Sequence, residues 1–409
     1  MKNNKSVIFP RTTFLFVFKW LVMALIVGFL AGSASAFFLV SLNWVTNWRE
    51  THSWIIWFLP IGGFIVGAAY YHLGQDVVKG NNQLIEEFHS PSQVVPLKMA
   101  PLVLFGTLVT HLFGGSAGRE GTAVQMGGAI ADQFTKLFRF SDDDRRILLI
   151  IGISAGFASV FGTPLAGSVF ALEVLIVGRM RYEALLPSLL TALVADYTCH
   201  AWQVAHTHYS IPNVPPIHAD TLLWAIFAGI LFGLTSFSFS KVVHFWGDFF
   251  KRTIAYPPLR PVVGGAVLAV CIWLLGTTRH IGLGVPTIVA SFTEPPAPYD
   301  FVLKLLLTTF TLGAGFKGGE VTPLFFIGAT LGNALAVFVP LPMALLAGMG
   351  FVSVFAGATN TPIACTLMGM ELFGAECGVF IALSSVIAYL FSGHSSIYSA
   401  QVFQKGKHD

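Results

Sequence analysis

Gly114-Gly115-Ser116-Ala117-Gly118-Arg119-Glu120-Gly121-Thr122-Ala123-Val124-Gln125-Met126-Gly127-Gly128 sets an arginine and a glutamate side by side between apolar runs. The run before it, Pro101 to Phe113, carries one ionisable residue, His111, and the run after it stays uncharged until Asp132. An acid and a base so deep in apolar sequence are costly, and an ionisable residue inside a membrane marks function by default. The glycines oppose a continuous helix, because each loses more backbone freedom than alanine and admits positive φ. The stretch therefore reads as a broken helix, with a new helix and its free N–H groups starting near Gly121. Within a bilayer such a start is an anion site.

Composition agrees with a membrane setting. Of 409 residues, 55% are hydrophobic and 11% charged, with a mean hydropathy of +0.73; soluble domains carry roughly 25% charge. The net charge of +3 is too small to suggest nucleic acid, and the basic residues lie in short segments rather than a patch. Cys199, Cys271, Cys365 and Cys377 form no CxxC pair, so neither a disulfide framework nor a cysteine metal site is implied. Lys2, Lys5, Arg11 and Lys19 precede the first acid, Glu50. No small-residue cleavage site follows at signal-peptide distance, so Thr12 to Trp48 reads as a retained span, with a cytoplasmic N-terminus by the positive-inside rule. That span exceeds the ~20 residues of a straight crossing, so it should tilt or project.

Ser53 to Leu73 reads as a second span. Gly80-Asn81-Asn82-Gln83-Leu84-Ile85 has a helix-capping signature but is too short to cross, so it reads as a re-entrant element. Lys98 to Phe113 leads into the central motif, and Ser141 to Arg146 reads as an aqueous loop. Two helices follow over 147–162 and 163–177, broken at Gly162 and Pro164, and 182–205 ends the half. The stretch from Cys199 to His218 holds His200, His206, His208 and His218, but no pair has closed zinc-site spacing. It reads as a polar linker, with Pro212, Pro215 and Pro216 in support, and no metal or cofactor is expected.

The second half repeats the first. Leu222 to Phe250, Val262 to Leu275, the short start Gly282 to Pro286, and Phe301 to Leu312 lead to Gly315-Phe316-Lys317-Gly318-Gly319-Glu320-Val321-Thr322-Pro323. At an offset of 200 residues, Gly115, Gly118, Glu120, Thr122, Gly128 and Ala129 match Gly315, Gly318, Glu320, Thr322, Gly328 and Ala329. About one match is expected by chance. Downstream, Gly156 to Phe161 recurs as Gly350 to Phe355, and Thr163-Pro164 with Glu173 recurs as Thr361-Pro362 with Glu371. The chain divides into repeats at 1–218 and 219–409. Paired broken helices in tandem repeats are the signature of secondary transporters, whose site lies near mid-membrane at the repeat interface; a channel built from the same parts remains an alternative.

These motifs resemble the CLC family of chloride channels and proton-coupled anion exchangers over nearly the whole chain. Gly118-Arg119-Glu120-Gly121 resembles its Gly-Arg/Lys-Glu-Gly-Pro signature, Gly319 to Pro323 its Gly-x-Phe-x-Pro signature, and Tyr398 the pore tyrosine at a C-terminal helix start. Asn81-Asn82, Thr122 in place of proline, and Val321-Thr322 depart from the chloride pattern and resemble the bacterial fluoride/proton antiporter branch. The resemblance implies an all-α polytopic fold of about 18 tilted and broken helices in two inverted repeats. It also implies a homodimer in a bacterial inner membrane, with one anion pathway per subunit where helix starts at Gly80, Gly121, Val321 and Ser396 converge. Many chloride exchangers place a proton-relay glutamate just after the position of Glu173; here that position is Val174, and the fluoride branch implies that Glu320 serves instead.

Fluoride is small and strongly hydrated, so its site must cluster hydrogen-bond donors. The Asn81 and Asn82 amides, the Thr322 hydroxyl and N–H groups at the helix starts are suited to that. Phe325 and Phe326 either offer positive ring edges to an anion or pack in the apolar interior. Glu120 reads as a tethered anion that competes with fluoride and withdraws on protonation; a pair with Arg119 is set aside because helix neighbours diverge. Glu173 and Glu371 read as helix-end or interhelical bonds. A hydrolase would need Ser116 and His111 as nucleophile and base, which nothing orients, so the chain reads as a transporter and not an enzyme.

Overall fold

The computed structural model describes residues 11–295, 297–404 and 406–407. Lys2 and Lys5, on which the orientation rests, lie outside the described residues, as do the last two residues of the tail.

Sixteen α-helices and four short 3-10 turns make up almost all the regular structure of the described residues, against the expected 18 or so helices. The first eight are α1 (Arg11–Thr51), α2 (Leu59–Leu73), α3 (Asn81–His89), α4 (Met99–Leu112), α5 (Glu120–Phe138), α6 (Asp142–Phe161), α7 (Pro164–Glu173) and α8 (Leu185–Ala201). They recur in the same order as α9 (Ala219–Thr253), α10 (Leu259–Leu275), α11 (Val285–Ala290), α12 (Asp300–Gly313), α13 (Val321–Leu335), α14 (Met343–Thr359), α15 (Pro362–Phe373) and α16 (Gly378–Phe391). Packing repeats with the order. The α5–α6 pair matches α13–α14 and the α1–α8 pair matches α9–α16, while α2 packs on its own counterpart α10 and α7 on α15. Counterparts touching each other are what a pseudo-two-fold axis between the repeats produces.

Helix lengths follow from the sequence. At 1.5 Å per residue α1 runs roughly 60 Å, about twice a ~30 Å hydrocarbon core, so it tilts or projects. Among the described residues, three helical stretches are long and apolar enough to cross a membrane: Thr13–Thr51, Ser53–Leu73 and Ala219–Thr253. Shorter apolar helices, Val321–Leu335 and Pro362–Phe373 among them, start or stop inside the protein. α6 and α14 form the centre of each repeat: Ile147 to Phe161 and Ala344 to Thr359 are buried on every face, as a helix apolar all round must be. Close packing there depends on glycine. A Cβ on Gly328 would stand 1.9 Å from the Gly350 carbonyl oxygen where α13 crosses α14.

A buried charge cluster fixes the start of α6. The Arg145 guanidinium binds Asp132 of α5 through Nε and Nη2, both at 2.8 Å, reaches Glu87 of α3 at 3.1 Å, and donates to the Gln93 carbonyl. Asp132 also accepts the Val95 N–H at 2.8 Å. α3, which begins at Asn81, is thereby held against α5 and α6 from its far end.

The C-terminal segment departs from expectation. No helix starts at Ser396: residues 395–401 are irregular, and Val402–Phe403 (β2) pairs in parallel with Ile176–Val177 (β1). The Gln401 side chain explains the course. Its Nε2 donates to the carbonyls of Val174 and Thr359, both at 2.8 Å, and its Oε1 accepts from Asn360 Nδ2 at 2.8 Å. The segment is thus fastened between the repeats as irregular chain, and Tyr398 arrives buried on it rather than on a helix.

Candidate ion site at the repeat interface

The two glycine-rich breaks meet backbone to backbone. Gly118 N–H donates to the Gly319 carbonyl at 2.6 Å, and Gly319 N–H to the Gly118 carbonyl at 2.8 Å, an isolated antiparallel bridge. A Cβ on Gly118 would lie 2.8 Å from Pro323 Cδ, and one on Gly319 2.8 Å from Gly121 N. Only glycine lets the chains approach so closely, and the bridge sets the start of α5 beside the start of α13.

Glu120 crosses the interface. Its fully buried carboxylate accepts the Thr322 N–H at 2.9 Å and the Thr322 hydroxyl, and the Arg119 N–H reaches it at 3.2 Å. The acid of the first repeat therefore sits on the positive helix start of the second. An anion bound at Thr322 would need the same donors. Arg119 corrects the sequence reading: its Nε lies 3.4 Å from Glu120 Oε1, an ion pair by distance without hydrogen-bond geometry. Arg119 is the N-cap, with φ −121° and ψ −26°, so the divergence of helical neighbours does not apply to it.

Glu320 takes a different position. It caps α13, and its Oε2 is buried with no hydrogen-bond partner. That oxygen lies 3.6 Å from where a Gly121 Cβ would stand, and Asn81 Nδ2 lies 2.9 Å from the same point. Glu320, Asn81 and the start of α5 therefore meet. The Asn81 Oδ1 is also buried without a partner; unpaired buried polar atoms are rare enough to call for a reason. Asn82 instead accepts the Ala400 N–H at 3.0 Å and ties the start of α3 to the C-terminal segment near Tyr398. Gly80, with φ +57°, precedes α3 and lies against Gln125, whose Oε1 would be 3.0 Å from a Cβ there. The sequence reading passed over Gln125. Its signal was available: one turn after Gly121, it shares that residue's helix face.

Thr122 and Thr322, equivalent in sequence, have different partners. The Thr122 hydroxyl lies 2.6 Å from the Thr107 hydroxyl of α4. At the 200-residue offset from Thr107 stands Leu307, which has no hydroxyl to offer. Phe325 and Phe326 are both buried. Phe325 stacks on Phe351 with centroids 4.0 Å apart and meets Phe161 and Phe355; Phe326 faces the His280 ring, and Lys304 Nζ lies 5.2 Å from its centroid. Ser116 and His111 do not pair. The serine donates to the His280 carbonyl and meets Thr308, and both nitrogens of His111 lie against carbonyls.

The other pair of acids forms a reciprocal clasp. Glu173, ending α7, accepts the N–H groups of Ile363 and Ala364 at 3.1 and 2.8 Å, at the start of α15. Glu371 on α15 accepts those of Leu165 and Ala166 at 2.9 and 2.8 Å, at the start of α7. Each helix is capped by its counterpart's acid, the interhelical bond expected from the sequence.

Two inverted repeats of broken helices, with an acid of one seated on a helix start of the other, define the class of membrane transport proteins built from paired broken helices. The chain belongs to the CLC family: the model of voltage gated chloride channels matches residues 62–393. A "Chloride/fluoride channel protein" of Pseudomonas syringae pv. tomato is 56% identical over 399 residues, covering 96% of this chain and 88% of that protein. An "H(+)/Cl(-) exchange transporter ClcA" of Vibrio vulnificus is 26% identical, over 95% of this chain and 90% of that one. Among solved structures, a CLC-type fluoride/proton antiporter superposes with a TM-score of 0.92 at 37% identity, covering 94% of this chain and 98% of that one. A slow cyanobacterial Cl-/H+ antiporter shares the fold, with a TM-score of 0.81 at 20% identity over 91% and 94% of the two chains.

Proposed function

We propose that this protein exports fluoride in exchange for protons, through one pathway in each subunit of a homodimer in a bacterial inner membrane, with its N-terminus in the cytoplasm. One observation carries the reading: the Glu120 carboxylate occupies the N–H and hydroxyl of Thr322, so a negative oxygen already uses the donors a small anion would take. When Glu120 is ionised it holds the site; when protonated it no longer needs those bonds and yields them to fluoride. Exchange follows from this competition, with Glu320 as the proton relay.

In this reading fluoride is bound by the Asn81 amide and Thr322, with Gly80, Asn82, Gly118, Arg119, Gly121, Thr122, Val321 and the Tyr398 side chain framing the route, and with Phe325 and Phe326 behind it. Likeness to an antiporter structure at 37% identity supports coupling. The relative described as a chloride/fluoride channel favours passive anion conduction as the second reading. We place the repeat boundary at 218/219, just ahead of α9. The homodimer rests on the family resemblance and on exposed Leu165 and Ile363 at the starts of the clasped helices, beside small residues suited to close helix approach.

Flux from liposomes decides between the readings. Purified protein under an imposed proton gradient should drive fluoride against its own gradient while chloride moves far more slowly. Fluoride movement that stays downhill under that gradient would establish a channel, and equal chloride flux would remove the fluoride assignment.

A further inference from the structure

The linker set aside as a metal site gathers three ligand-bearing side chains once α8 is included. Asp196 and His200 lie one turn apart in the last turns of α8 and so share a face; His200 Nδ1 is 3.4 Å from Asp196 Oδ1. The helix ends at Ala201, Gln203 reverses the chain at φ +60°, and His206 returns to the same place. The His200 and His206 ring centroids are 5.1 Å apart. One ligand atom from each of the three residues lies within 4.8 Å of the others.

The polar atoms are arranged to receive something. His206 Nε2 lies 3.1 Å from the Ser159 carbonyl, which fixes the proton there and leaves Nδ1 as a lone pair. That Nδ1 is buried without a hydrogen-bond partner, and so is Asp196 Oδ1. An imidazole that donates one nitrogen to a backbone carbonyl and presents the other is the usual posture of a metal-binding histidine. Tetrahedral zinc, with bonds of roughly 2.0–2.2 Å, needs ligand atoms about 3.3 Å apart. His200 Nδ1 lies 3.4 Å from Asp196 Oδ1 and also 3.1 Å from the Asp196 carbonyl oxygen, so the ring turns from that backbone contact to ligate, which its 58% exposed side chain allows.

We propose that Asp196, His200 and His206 form a site for a divalent transition metal of the zinc class, which fastens the linker after α8 to the last turn of that helix. Two imidazoles and one carboxylate prefer zinc, nickel or copper to magnesium or calcium. Three protein ligands leave one position for water. The site lies beside a cavity of 1140 Å³ lined by Gln203, Val204, Ala205 and Thr207 of the linker and by Arg119. A bound metal therefore fixes one wall of the space that Arg119 faces.

Calorimetric titration of untagged, detergent-purified protein with zinc chloride, and separately with calcium chloride, tests the site. We expect one zinc ion per chain at micromolar affinity and no calcium binding. His206→Gln and Asp196→Asn should each weaken zinc at least about tenfold, while His218→Gln, outside the cluster, leaves it unchanged. Zinc should also raise the melting temperature of the parent protein but not of His200→Gln, whose exposed side chain is not needed for folding. Absence of zinc binding, or binding that survives all three cluster substitutions, overturns the site.

Discussion

Two pairs of glutamates related by the same internal repeat are treated in opposite ways. Glu173 and Glu371 are symmetric: each accepts two N–H groups from the helix start of the other repeat. Glu120 and Glu320 are not. The first takes the N–H and hydroxyl of Thr322 across the interface, while the second has an oxygen buried without a partner beside Gly121 and Asn81. Duplication supplies both pairs with equivalent surroundings, so the symmetric pair shows what those surroundings do when structure alone is required. In the proposed exchange the asymmetry marks where one sequence is divided into two tasks. The two equivalent threonines differ in the same way: the Thr122 hydroxyl engages Thr107, whereas the Thr322 hydroxyl engages Glu120.

The largest expected effect breaks the asymmetric pair at its seated member. Glu120→Gln keeps the volume but cannot compete as an anion or carry a proton, so coupled turnover in liposomes should stop. Residual exchange above about one tenth of the parent rate would remove Glu120 from the competition. Next is the symmetric pair. Glu173→Ala leaves the Ile363 and Ala364 N–H groups at the start of α15 without their acceptor and should cost about 3–6 kcal/mol of stability, since hydrogen bonds to charged groups contribute ~1.5–3 kcal/mol each. Thermal unfolding in detergent reads that loss. The fluoride-to-proton ratio of the folded fraction should not change, and a changed ratio would make the clasp functional.

Smaller effects sharpen the comparison at the threonines. Thr322→Ala removes a donor from the proposed fluoride site and should narrow the preference for fluoride over chloride by ~1–3 kcal/mol, with Asn81→Ser acting in the same direction. Unchanged anion selectivity in both variants would refute that site. Thr107→Val only frees the Thr122 hydroxyl, so it should cost no more than about 1 kcal/mol of stability and leave selectivity as it was.

Much of this was legible in the sequence because it is carried by periodicity and by residues with few alternatives. The glycine-rich breaks, the 200-residue offset and the lone acids in apolar runs gave the repeat, the broken helices and the position of Glu120. What was illegible depended on which partner a side chain meets across the fold. The divergence of neighbours that argues against an Arg119 pair holds inside a helix, and Arg119 stands one residue outside it. The resemblance predicts a helix from Ser396, but Gln401 has three partners on two distant elements that hold the chain in an irregular course. Gln125 and Asp196 were passed over because each is an ordinary helical residue until the fold sets Gly80 or His206 against it.

Paired fluoride and proton flux on Glu320→Gln tests most directly whether two equivalent acids do different work. Fluoride should still bind and cross while proton movement falls to the level of protein-free liposomes. Full proton coupling in that variant would make Glu320 a structural acid and contradict the division of roles.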